Sequence, residues 1–181
     1  MFIDDTIAAV ATAPGEAGIG IVRLSGPKAL DIANKIFKPI KGNTDLSMQV
    51  RKLVYGHVYD QDKVIDEVLV SYMKKPHTFT REDVVEINCH GGYISVRKIL
   101  ESVIRNGARL ADRGEFTKRA FLNGRIDLSQ AEAIIDIINA KTNASFDIAQ
   151  KHLEGNLSAS IKQIRDKLTM DLAKITVAID F

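Results

Sequence analysis

The sequence contains little cysteine and proline, and it contains no tryptophan. Of its 181 residues, one is cysteine, four are proline and none is tryptophan. A single thiol excludes an internal disulfide framework, which favours a reducing compartment. No apolar run approaches the roughly 20 residues of a membrane-spanning helix, and the stretch Met1 to Asp5 carries acids where a signal peptide is basic. We therefore predict a cytoplasmic protein without a membrane segment.

An excess of one charge is also missing. The 25 basic and 23 acidic side chains give a formal net charge of +2. A dedicated nucleic-acid binder normally has a strong basic excess, so the overall charge does not indicate one, although a local basic patch is compatible with it. Hydrophobic residues make up 45% of the chain, which is too apolar for a disordered protein and typical of a globular one.

Phosphate-loop motifs are absent as well. The sequence has no G-x-x-x-x-G-K-[ST] segment. Gly15, Gly18 and Gly20 invite such an interpretation, but a strand follows them, so no helix amino terminus is available to hold a phosphate. We interpret this stretch as a tight loop between two strands. The chain by itself is not expected to bind a nucleoside triphosphate in this way.

The first two thirds of the chain alternate short strand-like and helix-like segments, which predicts an α+β fold with a mixed sheet and packed helices. Residues 38–50 are expected to form a loop. A turn at 60–63 is typical of a hairpin. The remaining expectations are strands over 6–11, 19–24, 52–59, 64–73, 83–90 and 108–112, and helices over 27–37, 91–106 and 115–123.

After Asp127 the pattern becomes purely helical. Ser129 and Glu132 have the spacing of a capping box, and Thr142 or Asn143 is expected to separate two helices. Apolar residues then recur every three or four positions, and Gly155 is expected to weaken this stripe without interrupting it. Because the stripe reaches Phe181 with no stop signal, we interpret the end as a boundary within a longer protein. The alternative is a helix that buries its stripe against a second copy.

The segment 84–90 carries the densest polar pattern. Side chains alternate between the two faces of a strand, so Val85, Ile87 and Cys89 share one face and Glu86, Asn88 and His90 share the other with Val84. The first face is expected to be core, with Cys89 as a buried apolar residue. The second is either a lined pocket or interface, or a solvated sheet face. Gly91-Gly92 adds backbone amides at a helix start that are favourable to an anion.

A second dense segment runs from Gly114 to Ala133. Phe116, Ala120 and Phe121 are expected to pack inward on a short helix. Lys118, Arg119 and Arg125 are then left for acidic partners or for ordinary surface charge, and we prefer the surface for Lys118. Arg125 lies at the junction of the two parts of the chain, where clefts often form.

Taken together, these segments resemble one protein family. The stretches that carry the resemblance are 5–9, 20–26, 80–92 and 114–132, in the same order along nearly the whole chain. They look like the tRNA uridine-modifying GTPase family MnmE (TrmE).

The resemblance implies a fold and a function. It implies a folate-binding, aminomethyltransferase-like domain over residues 1–127 that forms a homodimer and binds 5-formyl-tetrahydrofolate. Residues 128–181 would be the first segment of a helical domain that is interrupted by a GTPase domain, which is missing here. That domain would use K⁺ and Mg²⁺ with GTP. The implied partners are the flavoprotein MnmG (GidA) and the tRNA whose wobble uridine receives a 5-carboxymethylaminomethyl-type modification.

The resemblance also implies the site residues. Folate-contacting positions of the family match Arg23, Glu86 and Arg125. A carboxylate can accept the two adjacent N–H donors of a pterin, so Glu86 is the candidate for that contact. Arg23 and Arg125 are candidates for the anionic tail or the formyl group, and the choice between them stays open. The family often has lysine at the position of Arg125, which keeps the charge but changes the donor geometry.

No catalytic residue and no metal site is expected in the chain itself, and only the full-length parent is expected to hydrolyse GTP. Two rival hypotheses stay open. One is a non-catalytic dimerisation scaffold, and the other is a stand-alone aminomethyltransferase-like folate enzyme.

Overall fold

The computed structural model describes residues 5–41 and 45–180, and its elements follow the α+β order that the sequence predicts. The first part of the chain contains seven strands and three helices, and the last part contains three helices within the described residues. The strands are β1 Ile7–Val10, β2 Ile19–Ser25, β3 Phe37–Pro39, β4 Leu53–Asp60, β5 Lys63–Met73, β6 Val84–His90 and β7 Arg109–Leu110. The helices are α1 Ala29–Ile36, α2 Tyr93–Arg105, α3 Glu115–Leu122, α4 Leu128–Asn139, α5 Asn143–Leu153 and α6 Asn156–Asp180.

The chain divides into two compact units, the first ending at Asn123 and the second beginning at Gly124. The first unit is built on a sheet of seven strands in the order β3-β4-β5-β6-β2-β1-β7. All neighbours in this sheet are antiparallel except β1 and β7, which are parallel. The sheet is therefore mixed, as predicted.

One face of the sheet carries the hydrophobic core. Every second residue of β2 and β6 points into it, including Val22, Leu24, Val85, Ile87 and Cys89, and all five are buried. Helices α1 and α2 cover this face with their apolar sides, because their buried residues recur at helical spacing. Those helical residues are Ala29, Ile32, Ala33, Ile36, Val96, Ile99 and Val103.

Glycine permits the close approach between α2, the sheet and the loop that precedes β2. A Cβ on Gly20 would lie 2.4 Å from Cγ2 of Val96, and a Cβ on Gly91 would lie 2.2 Å from the carbonyl oxygen of Ala17. Neither distance is possible for a real side chain. The structure gives Gly91 a packing role, and the predicted contribution of its backbone amide to an anion site stays a prediction.

The second unit consists of α4, α5 and α6. Asp127 caps α4 and forms a capping box with Gln130, so the prediction of Ser129 as the cap was wrong. Thr142 caps α5, which confirms the predicted break there. Gly155 has a positive φ of 85°, a conformation that ends helices, so the stripe is divided between α5 and α6 and the prediction of an uninterrupted helix was also wrong.

The expected loop over residues 38–50 also needs correction. Residues 38–50 are not simply a loop, because β3 reaches Pro39 and a 3-10 turn spans Leu46–Gln49; residues 42–44 lie outside the described part. The turn of the β4–β5 hairpin is confirmed and is tighter than predicted, because Asp60 pairs directly with Lys63. No described helix has the length and apolar character needed to cross a membrane.

Candidate functional site

The sheet face opposite the core, here called the open face, carries the polar side chains that the sequence singled out. Strand register aligns its residues in rows, because directly paired residues point to the same side. The first row is Leu53, Ser71, Glu86, Arg23 and Ala9. The second row is Tyr55, Leu69, Asn88 and Ile21.

Large apolar side chains on the open face are accessible to solvent. Leu53 is 64% exposed, Tyr55 46% and Leu69 40%. Ile19, the first residue of β2, pairs with His90, the last residue of β6, and is 62% exposed. A sheet face with only a solvating role would present mostly polar residues, so this mixture indicates a surface that contacts a ligand or another chain.

Arg23 and Glu86 form an ion pair in the centre of this face. They stand opposite each other on β2 and β6, and Nε and Nη2 of Arg23 each lie 2.7 Å from Oε1 of Glu86. Their side chains are 33% and 24% exposed. The guanidinium carbon also lies 5.9 Å from the centre of the Phe116 ring in α3, a cation–π distance.

The geometry of this pair leaves capacity for a ligand. Both contacts from Arg23 go to Oε1, and no described residue donates a hydrogen bond to Oε2 of Glu86. A carboxylate can accept about four hydrogen bonds, and a guanidinium has five N–H donors. The pair can therefore present an acceptor and further donors side by side, while Phe116 fixes the orientation of Arg23.

Arg125, the third predicted site residue, belongs to the second unit. It lies in the bend just before α4 and is exposed. The structure brings Arg23 and Glu86 together, whereas the contribution of Arg125 stays a prediction.

His90 is held by a carboxylate that the sequence analysis did not single out. Oδ1 of Asp66 lies 2.7 Å from Nδ1 of His90, and Oδ2 accepts from the His90 backbone N–H at 3.0 Å and from the Ser95 hydroxyl. The Asp66 side chain is only 11% exposed, whereas that of His90 is 71% exposed. The hydrogen bond to Asp66 raises the pKa of His90 above its usual value.

Asp66 remains ionised despite its partial burial. Desolvation opposes ionisation, but the hydrogen bonds from Ser95 and His90 outweigh it and lower the pKa of Asp66. Asp66 immediately precedes Glu67 in β5, and nothing in the sequence around it signals a pairing with a residue 24 positions later. Only the strand register reveals this contact.

Cys89 lies on the core face and is 4% exposed, which confirms the prediction of a buried apolar residue. Burial raises the pKa of its thiol to about 11, so the thiolate is disfavoured at neutral pH. Its Sγ contacts the Gly20 carbonyl oxygen at 3.3 Å. The thiol therefore has neither the exposure nor the ionisation of a nucleophile.

The acidic partners of Arg119 are internal. Its guanidinium is fully buried and contacts Oδ1 of Asp5 at 2.6 Å, Oε2 of Glu82 at 3.1 Å and Oε1 of Glu115 at 3.7 Å. Arg109 joins the same network through Asp5 and Glu115. The network fastens α3 to the start of β1 and to the loop before β6. Arg119 is thus a structural residue. Phe121 of the same helix was predicted to pack inward, but it is 39% exposed.

Comparisons with known proteins agree with this architecture. A family model described as the GTP-binding protein TrmE N-terminus matches residues 6–125, and one described as the MnmE helical domain matches residues 128–181. A tRNA modification GTPase MnmE of Clostridioides difficile is 60% identical over 181 residues, and one of Bacillus subtilis is 54% identical over 179. These alignments cover 100% and 98% of this chain and 39% of each relative.

The fold defines a class of protein in which a mixed α+β unit with an open sheet face is followed by a helical unit. The chain belongs to the MnmE (TrmE) family, since that family's amino-terminal and helical models account for nearly all of its residues. The chain spans about two fifths of the length of the relatives it matches.

Proposed function

We propose that this chain is the folate-binding and dimerising part of a tRNA modification GTPase. Its ligand in this proposal is 5-formyl-tetrahydrofolate, bound on the open face. The observation that supports it most strongly is the partly exposed Arg23–Glu86 pair at the centre of that face. Relatives that match the whole chain carry the name tRNA modification GTPase MnmE, which supports the wider role.

Glu86 is the candidate contact for the pterin ring. A pterin has two adjacent N–H donors, and a carboxylate accepts such a pair with favourable geometry. Arg23 holds the Glu86 carboxylate in place at 2.7 Å and still has donors for a carbonyl or carboxylate of the ligand. Arg125 remains a candidate for the tail or the formyl group on the strength of the family resemblance.

Dimerisation in this proposal covers part of the exposed apolar surface. Leu53, Tyr55, Leu69 and Ile19 are exposed on the first unit, and burying them against a second copy would remove apolar area from water. Helix α6 has no buried residue, and its apolar stripe is 42–77% exposed at Leu157, Ile161, Ile164, Leu168, Leu172, Ile175 and Ile179. We propose that the rest of the parent protein covers this stripe.

The GTPase activity belongs to the parent protein in this proposal. The chain lacks a phosphate-binding loop, so GTP, K⁺ and Mg²⁺ would be bound outside it. The parent would act in the cytoplasm with the flavoprotein MnmG (GidA) on the wobble uridine of tRNA. The folate bound here would supply a one-carbon unit to that chemistry.

Isothermal titration with 5-formyl-tetrahydrofolate tests the folate proposal. We expect saturable binding by the chain and a loss of at least tenfold in affinity in Glu86→Gln, because the amide replaces one acceptor by a donor. Glu101→Gln is the matched control, since Glu101 is exposed on α2 and paired with Arg97. Arg23→Ala and Arg125→Ala are measured in the same series to assign their roles.

The rival hypotheses predict different results. A well-folded dimer that does not bind the folate favours a non-catalytic scaffold and overturns the folate proposal. Turnover of a methylamine donor by the chain alone favours a stand-alone aminomethyltransferase-like enzyme. Equal affinities of Glu86→Gln and wild type would remove Glu86 from the site.

A further inference from the structure

One end of the seven-stranded sheet carries a cluster of exposed cations, here called the basic end. Its members lie just before β4 and in the loop between β5 and β6. They are Arg51, Lys52, Lys74, Lys75 and Arg81, and all five are exposed. The whole chain has a formal net charge of only +2, so these positive charges form a local excess that the overall composition hides.

Hydrogen bonds join the segments of the basic end into one surface. The Arg51 backbone N–H donates to the Tyr72 carbonyl oxygen at 2.8 Å, and the Arg51 guanidinium donates to the carbonyl oxygen of His77. Nη1 of Arg81 donates to the Asn123 carbonyl oxygen at 3.0 Å, which ties the same loop to the end of α3. The two arginines are therefore held in place by the backbone and not by acidic side chains.

Arg51 and Arg81 also share an uncommon backbone conformation. Their φ angles are 61° and 59°, in the left-handed region that residues other than glycine rarely adopt. Within the described ranges, Gln61 is the one other such non-glycine residue, and it lies in the β4–β5 hairpin turn, where this conformation is typical. Strained backbone of this kind is concentrated at functional sites. Arginine at two positions that favour glycine indicates that its charge has a use there.

Acidic side chains do not neutralise the basic end. Within residues 5–41 and 45–180 none of its five cations forms a salt bridge, whereas two arginines of α2 do. The two acids of the β5–β6 loop have internal partners. Glu82 contacts Arg119 at 3.1 Å and the Ser25 hydroxyl at 2.7 Å, and Oδ1 of Asp83 accepts from the Lys75 backbone N–H at 2.9 Å. The positive field of the basic end is thus left for a partner molecule.

The composition of the basic end distinguishes between classes of partner. Protein–protein interfaces are depleted in lysine and enriched in aromatic residues. Three of the five cations are lysines, and the neighbouring rings of Tyr72 and Phe79 are buried and half-buried. A helix that binds a membrane surface needs large apolar side chains beside its cations. Long, flexible cationic side chains without apolar neighbours instead match the phosphate oxygens of a nucleic acid.

We propose that the basic end binds the phosphate backbone of RNA, with its lysines and arginines contacting phosphates independently of base sequence. The choice of RNA rests on the proposed function, whereas the charge excess does not. Ser71 pairs with Glu86, and Lys74 follows Ser71 by three residues, so the basic end begins roughly 10 Å from the Arg23–Glu86 pair along the strand direction. RNA held there would lie beside the proposed folate site.

Fluorescence anisotropy of the chain with an end-labelled tRNA transcript tests the proposal. Wild type should bind the transcript, and the logarithm of its affinity should fall linearly with the logarithm of the salt concentration. Lys74→Gln/Lys75→Gln should bind about tenfold more weakly at low salt. Its salt slope should be smaller by about 1.4–1.8, because each phosphate contact contributes roughly 0.7–0.9 to the slope.

Lys63→Gln/Lys98→Gln is the matched control, because it removes the same charge from two exposed lysines. Lys63 begins β5 and Lys74 follows its end, so these positions lie roughly 35 Å apart along one strand. Lys98 lies on α2, which covers the core face. Thermal unfolding verifies that each variant folds. Lys52→Gln alone replaces a basic-end variant that does not fold, and it should reduce the slope by about one.

Three results would overturn the proposal. The first is wild-type affinity and slope in the basic-end variant, or an equal loss in the control variant. The second is the absence of tRNA binding by wild type at roughly 50 mM salt, where phosphate contacts are strong. The third is binding of a polyglutamate peptide that depends on Lys74 and Lys75 without any RNA binding, which would assign the basic end to an acidic protein.

A titration of the same variants with 5-formyl-tetrahydrofolate separates this proposal from the folate function. RNA binding that depends on Lys74 and Lys75, without folate binding by wild type, supports the basic end and overturns the folate function. Folate binding that depends on Glu86, with RNA binding unchanged in Lys74→Gln/Lys75→Gln, overturns the basic end and keeps the folate function.

Discussion

The two units of the chain differ in how much of their apolar surface they bury. The first unit covers one sheet face with α1 and α2, and its core residues are nearly inaccessible. Helix α6 of the second unit has the regular stripe of an amphipathic helix, yet none of its described residues is buried. Both patterns are equally clear in the sequence. The difference teaches that periodicity predicts a helix and its apolar face, and that burial depends on a partner that the sequence of the helix does not contain.

The largest expected effect in the first unit is at Arg119. Replacement by methionine removes the buried cation that contacts Asp5 and Glu82 and leaves their carboxylates without it. Breaking a buried ion pair from one side costs about 3–5 kcal/mol, so urea denaturation should show a loss of that order. Arg165→Met on α6 is the control, and its exposed pair with Asp166 should contribute less than about 1 kcal/mol. Equal losses at both positions would contradict the difference between the units.

Core truncation is the next comparison. Ile99 is fully buried in α2, whereas Leu168 in α6 is 64% exposed. Ile99→Ala should lower the free energy of unfolding by about 2–5 kcal/mol, and Leu168→Ala should change it by less than about 0.5 kcal/mol. Differential scanning calorimetry on both variants measures this. A large loss at Leu168 would show that α6 is covered in the isolated chain.

The adjacent glycines Gly91 and Gly92 probe how tightly the first unit is packed. A Cβ at Gly91 would meet the Ala17 carbonyl at 2.2 Å, while a Cβ at Gly92 would have no neighbour within 4 Å. Gly91→Ala should destabilise the protein by about 1–3 kcal/mol, the usual cost of overpacking, and Gly92→Ala should change stability little. Chemical denaturation of the two variants is the measurement, and similar values would show that the loop at Ala17 yields without cost.

The smallest expected effect is the titration of His90 on the open face. Because Asp66 raises its pKa, the folded state holds the proton more tightly than the unfolded state. The resulting stabilisation is complete below the unfolded value of roughly 6.5 and is lost as pH rises through the higher folded value. NMR titration of the ring should give a pKa above that of an ordinary exposed histidine in wild type and a lower one in Asp66→Asn. An unchanged pKa in Asp66→Asn would contradict the assigned cause.

Much of the fold could be predicted from local patterns. Alternation along β6 placed Val85, Ile87 and Cys89 in the core and Glu86 on the opposite face, because a strand has a fixed period of two. The predictions of a Ser129 cap and of an uninterrupted stripe at Gly155 were wrong for a different reason. Several residues near a helix start can cap it, and a glycine can either continue or end a helix, so the backbone conformation decides.

The candidate site was only partly predictable. Glu86 and Arg23 were identified from the family resemblance, and the register of β2 and β6 explains why they meet. Asp66 and its contact with His90 could not be found, because they depend on how β5 pairs with β6 and on where α2 begins. Acidic partners were among the alternatives that the sequence analysis considered for Arg119, and the structure shows such partners. The burial of Arg119 could not be predicted, because it follows from the tertiary packing of α3 and has no local sequence signature.

The most direct test of the central claim is a crystal structure of the chain grown with 5-formyl-tetrahydrofolate. The account predicts the pterin on the open face, with its N–H donors within about 3 Å of the Glu86 carboxylate and with Arg23 still beside it. A ligand bound elsewhere, with Glu86 contacting Arg23 alone as in the unliganded protein, would contradict it.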